Sequence, residues 1–375
     1  MRNYFGWLLF FSVSWWIVLL PYEYQLFSVV LDPFHTVAQS LITAIAGPVP
    51  FYSDSSGMYL LLIVCPVLGV LTAGLMLLPV FRKFRNKGFY LAKTVMTWFL
   101  VLELWKYGWI KLIKLQFYLP EPNTVYSSLG GLSKDIAYWS VIGSSHSYVV
   151  FMGITELIAG VLLLLPRTRF PGLLLALGIF INVVMVNFSF DISVKLFSLT
   201  SLLMVAIVLT GYRNQFRYML QLPVKPVVRE NRTRHPWENW LVALVVSLFV
   251  VESVYPAVVM ESMNDDTLER PEHHGAYTIA AHPQLERLYI HRKDYVIFEN
   301  REGAQLDFRI KAKNGENWSL IDERTQKEST LSWNSPQEAI LQHDRISDTL
   351  SLKLMPYRDL PLLRKSFHWI SDEFH

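Results

Sequence analysis

Seven long apolar stretches, joined by connections that alternate between rich and nearly empty in lysine and arginine, constrain this chain more than any other feature. They cover residues 4–20, 58–80, 89–115, 148–165, 171–190, 194–210 and 239–259, and most approach the ~20 residues that carry a helix across a bilayer core. The first lacks a small-residue cleavage site and is followed by further spans, so it is expected to stay in the mature protein. A composition of 52% hydrophobic and 17% charged residues is too apolar for an ordinary soluble domain.

Orientation follows from the basic residues of the short loops. Arg82, Lys83, Arg85 and Lys87 lie between spans two and three. Arg167 and Arg169 follow span four, and Arg213, Arg217, Lys225, Arg229, Arg232 and Arg234 follow span six. The opposite connections hold no basic residue over 21–57 and only Lys134 over 116–147. The expectation is a multi-pass protein of a bacterial inner membrane, with a cytoplasmic N-terminus and a periplasmic tail from residue 261 onward. The net charge of +3 belongs to these loops, so no nucleic-acid partner is expected.

Several chemistries lack their residues. Cys65 is the sole cysteine, so the chain has no dithiol to pass electrons. No histidine falls deep within the seven stretches, which argues against a haem held by paired histidines. Neither GxxxxGK[ST] nor GxGxxG occurs.

Ionisable residues at membrane depth cost about 2.5–3.5 kcal/mol each and are candidate functional groups by default. The third stretch carries Lys93, Glu103, Lys106, Tyr107, Lys111 and Lys114, which fall within about 140° of one helix face. Glu103 is spaced to pair with Lys106, whereas Lys111 and Lys114 are expected to snorkel outward. Glu156 sits mid-span between Gly153 and Gly160, a small-residue spacing suited to close helix approach. Asn182, Asn187 and Asp191 follow, and Lys195 is in reach of Asp191. Glu103, Lys106, Tyr107, Glu156, Asn182, Asn187, Asp191 and Lys195 are thus the candidate lining of one outward-opening cavity. The alternative is a set of structural ion pairs. In the cavity reading, a proton on Glu156 balances the charge, and Glu156→Gln should be tolerated.

Three segments carry a resemblance: 104–117 (LWKYGWIKLIKLQF), 153–169 (GITELIAGVLLLLPRTR) and 187–198 (NFSFDISVKLFS). They resemble the DoxX-like (DoxX/DoxD) family of bacterial membrane proteins, and the ending 367–370 (FHWI) is similar to the tail of its long forms. The resemblance implies a four-helix core, here about 89–211, in a family some of whose members look like partners in membrane oxidoreductase assemblies and most of which have no assigned activity. This chain adds two spans before the core, one after it and an external domain.

Residues 261–375 form the second domain after a helical 1–260. Alternation at Phe308, Ile310 and Ala312 and at Leu350, Leu352 and Leu354 predicts strands, and Asn314-Gly315 and Asn300–Gly303 predict hairpins. The expected fold is an all-α bundle of about seven transmembrane helices with a small antiparallel β barrel or sandwich of five to eight strands. A terminal helix is expected over 360–370. His273, His274, His282, His291, His343 and His368 are read as solvent-exposed, with no metal. The expected role is an accessory or anchoring subunit, not a stand-alone enzyme, surrounded by lipid and contacting a membrane or periplasmic protein through 261–375. The alternatives are a quinone-binding subunit associated with an oxidoreductase, quinone being the only cofactor implied, and a secondary transporter or lipid-handling protein.

Overall fold

The computed structural model describes residues 2–20, 27–81, 85–223, 236–259, 263–292, 294–343 and 346–364. The helices are α1 (Arg2–Leu19), α2 (Ser28–Ala46), α3 (Ser56–Leu75), α4 (Arg85–Leu112), α5 (Pro122–Tyr126), α6 (Lys134–Ser144), α7 (His146–Leu164), α8 (Arg169–Ser189), α9 (Lys195–Leu209), α10 (Arg213–Met219) and α11 (Pro236–Val259). Eight strands follow: β1 (Gly275–Ala280), β2 (Leu285–Ile290), β3 (Tyr295–Asn300), β4 (Gln305–Asn314), β5 (Asn317–Asp322), β6 (Glu328–Ser335), β7 (Glu338–His343) and β8 (Ile346–Leu354). The chain divides into a helical unit, 1–116 with 147–263, and a second unit, 117–146 with 264–375. This differs from a contiguous split at 260, because the excursion between α4 and α7 belongs with the barrel.

In the helical unit α4 is central. Met96, Leu100, Val101 and Leu104 are buried along it, and it packs against α1, α9 and α11. Among the described residues six helical segments are long and apolar enough to cross a membrane: Ser28–Ala46, Ser56–Leu75, His146–Leu164, Arg169–Ser189, Lys195–Met219 and Val242–Val259. Exposed apolar stripes run along them at helical spacing, such as Ile63, Val67 and Val70 on α3 and Ile154, Ile158 and Val161 on α7. Stripes this long on several helices are covered by lipid.

The seven expected spans are matched only in part: five coincide with helices among these six, the stretches 4–20 and 89–115 fall on α1 and α4, which are not among them, and α2 is an addition. Helix α2 lies where 21–57 reads as a loop, because Asp32-Pro33 signals a turn and His35, Thr36, Gln39 and Ser40 dilute its apolar pattern. It buries Ala38 and Ile42 against the core and places His35 inside an apolar helix.

The strands form a closed antiparallel barrel in sequence order, with β8 returning to β1. Hairpins turn where the sequence marks them, with Gly303 at φ +80° and Gly315 at φ +59°. Phe308 and Ile310 point inward, but a bulge between Ile310 and Ala312 ends the alternation and leaves Ala312 exposed. The interior is filled by Phe298, Phe308, Trp318, Leu320, Leu331 and Trp333 among others. The outer wall carries ion pairs such as Lys311–Glu328 at 2.6 Å and Lys313–Asp294 at 2.8 Å, so this wall faces water and not lipid. Residues 361–364 form a turn, and the rest of the expected terminal helix lies outside the described residues.

Candidate functional site

Two glycines let α4 and α7 meet backbone to backbone. A Cβ on Gly153 would stand 2.7 Å from the Gly108 carbonyl oxygen, and one on Gly108 would stand 2.9 Å from that of Gly153. Gly160 leaves the space that the Trp105 indole fills. Small residues buy this close approach where lipid supplies no hydrophobic drive.

Across that contact Lys111 reaches Glu156. Its Nζ donates to Oε1 at 2.9 Å and to Oε2 at 2.8 Å, and both residues are only 6% exposed. The Tyr107 ring lies 5.5 Å from the same Nζ and 6.0 Å from the Phe197 ring on α9. Lys111 therefore does not snorkel, and neither does Lys114, which is completely buried. Lys111 lies on the side of α4 that faces α7, and Lys114 lies in the turn that follows α4.

A second polar centre sits at the α8–α9 turn. Lys195 pairs with Asp191 at 2.8 Å, and its Nζ is 3.9 Å from Asp54. Asp54 also accepts from the backbone N–H groups of Lys195 and Leu196 at 2.8 and 3.0 Å. A carboxylate there satisfies free donors and complements the positive end of the helix dipole. Asn187 is buried and ties the same turn, its side chain donating to the Val194 carbonyl at 3.4 Å.

The candidate residues thus divide. Glu156 joins Lys111, whereas Asn187, Asp191 and Lys195 gather around Asp54. Glu103 is buried on α4, about 12 Å along the helix from Lys111 by helical rise. Lys106 and Tyr107 are half-buried on α4, and Asn182 is exposed on α8. The Asp191 side chain is 84% exposed. Sequence reading missed Lys111 as a partner and Asp54 as a cap. The acidic residue in the polar run Ser53–Ser56, just before a span, was the available signal for Asp54.

The second unit has its own buried charge centre. Glu121, at the start of α5, accepts from Arg292 Nε at 2.9 Å and lies 3.4 Å from His274 Nε2. Arg292 lies over the Tyr118 ring at 3.6 Å. Leu119 N–H donates to Asp266 at 2.9 Å, Tyr357 donates to the Pro120 carbonyl and Tyr126 to that of Pro356. The excursion is thereby fixed to the barrel. His273, His274 and His282 have side chains only 8–11% exposed, and His291 is half-buried, so the expectation of solvent-exposed histidines fails for these four. His343 is half-buried, and His368 lies outside the described residues.

Burial alone would raise the Glu121 carboxyl, but the hydrogen bond from His274 and the charges of His291 and Arg292 together hold it below its usual range. Burial lowers His291, against the pull of Glu121. Both groups bind protons more weakly in the folded unit than in the unfolded chain. Their stabilisation is present above the unfolded values and is lost as pH falls. His291 acts first, below its ordinary 6.5, and Glu121 follows below its ordinary 4.5. Acidification from about pH 7 to about pH 4 should therefore loosen the excursion. Amide exchange at α5, corrected for its intrinsic pH dependence, should accelerate in that window, and His291→Gln should remove the earlier step. An α5 as protected at the acid end as at neutrality would refute this.

A bundle with lipid-covered helices and a buried ion pair, joined to a filled barrel whose wall carries charge, defines a multi-pass integral membrane protein. Among known proteins, the chain belongs to the same family as the uncharacterized protein YwoB of Bacillus subtilis (strain 168). The two are 35% identical over 121 residues, which is 32% of this chain and 75% of that protein. No protein-family profile and no solved structure matches the chain.

Proposed function

We propose that the protein is an accessory or anchoring subunit of a bacterial inner-membrane assembly and not a stand-alone enzyme. Its bundle holds it in the bilayer and its barrel is presented to the periplasm as a contact surface. The observation that carries this reading is the filled barrel: with Trp318, Trp333, Phe298 and Leu320 occupying the interior, recognition belongs to the outer wall. The charges of the helical unit support it, since Lys111 pairs with Glu156 and Lys195 bridges Asp191 and Asp54, contacts that stabilise a scaffold. The loop charges support the periplasmic placement of the tail. The DoxX-like resemblance of 104–117, 153–169 and 187–198 agrees with a subunit role.

The test is native electrophoresis of the tagged full chain from its host membrane after mild extraction. It should migrate in an assembly of defined partners well above its own 43.5 kDa. Charge reversals at Arg309, Lys311 and Lys313 on the barrel wall should release it. A free, monodisperse chain would sink the proposal. A quinone in the solvent extract, or solute uptake by vesicles holding the pure chain, would support the alternatives instead.

A further inference from the structure

We propose that Glu272, His273 and Glu316 form a binding site for a divalent transition-metal ion of the zinc class at one end of the barrel. The three side chains offer one ligand atom each, and these atoms all lie within 4.8 Å of one another. His273 Nε2 is 3.5 Å from Glu316 Oε2. Two ligands bound at the usual zinc distances in a tetrahedral arrangement stand about 3.4 Å apart. The pair therefore needs little movement to share one ion.

The histidine supplies the independent observation. Its side chain is only 10% exposed, and Nε2 is buried with no hydrogen-bond partner among the described residues. A buried ring nitrogen is normally satisfied, and this one stands 3.5 Å from a Glu316 carboxylate oxygen without making a hydrogen bond to it. A cation between them resolves that mismatch. The ring is held in place for it: the imidazole stacks on the Trp333 indole, with centroids 3.8 Å apart and planes 3° apart. Backbone bonds fix both sides of the site. The His273 carbonyl accepts from Tyr277 Oη at 2.9 Å, and the Glu316 carbonyl accepts from Trp333 N–H at 2.9 Å.

Ligand chemistry narrows the ion. One imidazole nitrogen and two carboxylates suit zinc, manganese or iron(II) better than magnesium or calcium, which take oxygen ligands. Glu272 is exposed and the Glu316 side chain is 58% exposed, so the ion has an entry path and keeps a coordination position for water.

The full chain, purified in detergent without a histidine tag and stripped with a chelator, is titrated with zinc sulfate by calorimetry. Copper(II) quenching of tryptophan fluorescence provides a second readout, because Trp333 lies against the ligand ring. The expected result is one high-affinity zinc per chain, weakened at least about tenfold by Glu316→Gln and by Glu272→Gln. His273→Ala should abolish that site. If His273→Ala fails to fold, the two glutamate variants decide alone, since their side chains are exposed. No stoichiometric zinc, or zinc bound equally well by both glutamate variants, overturns the site.

Discussion

Glu156→Gln is expected to destabilise the helical unit by about 3–5 kcal/mol, the usual cost of removing one partner from a buried ion pair. The change leaves the Lys111 ammonium facing a neutral amide at a place where both residues are 6% exposed. The cavity reading treats Glu156 as a protonated, replaceable acid; the two short bonds from Lys111 reverse that expectation. Unfolding in mixed micelles of increasing sodium dodecyl sulfate should show an earlier midpoint for Glu156→Gln and for Lys111→Met. The double change Lys111→Met with Glu156→Leu should recover most of the loss, because replacing a whole buried pair by apolar residues is often neutral. A single variant with a wild-type midpoint would show that the pair contributes no net stability.

Trp318→Ala should remove about 3–5 kcal/mol from the barrel, the range for deleting a large aromatic from a packed core. Trp318 is 2% exposed and stands 5.7 Å from Trp333 in an edge-to-face contact. Lost ring contacts add to the cavity. Near-ultraviolet circular dichroism of the full chain should report both the missing aromatic coupling and a melting point lower by on the order of 10–20 °C. Trp318→Phe should retain much of that stability. An alanine variant that melts with the wild type would mean that the barrel interior is not the close-packed core described above.

What the sequence made legible was local. Asn314-Gly315 marks its own turn because the glycine must adopt positive φ, and Phe308 and Ile310 reveal their strand through alternation between neighbours. Partners distant in sequence were not legible. Glu156 meets Lys111 across 45 residues, whereas the spacing rule pairs Glu103 with the nearby Lys106. Helix α2 hid behind Asp32-Pro33, a dipeptide that reads as a turn but sits within a helix supported by tertiary contacts. His273 and His274 are adjacent, yet the φ of +60° at His273 lets one turn to Glu316 and the other to Glu121. Glu121 carried no local signal, because its partners lie 153 and 171 residues further on.

The docking of 117–146 onto the barrel sets an order of events during synthesis. The excursion leaves the ribosome between two membrane helices, but the tyrosine that grips its Pro120 carbonyl follows 237 residues later. At about 5–20 residues per second that gap is roughly 10–50 s. Within that interval Leu119 and Glu121 wait for an aspartate, a histidine and an arginine made 147, 153 and 171 residues after them. The barrel closes only when β8 reaches β1, so a segment made before α7 is among the last to find its place.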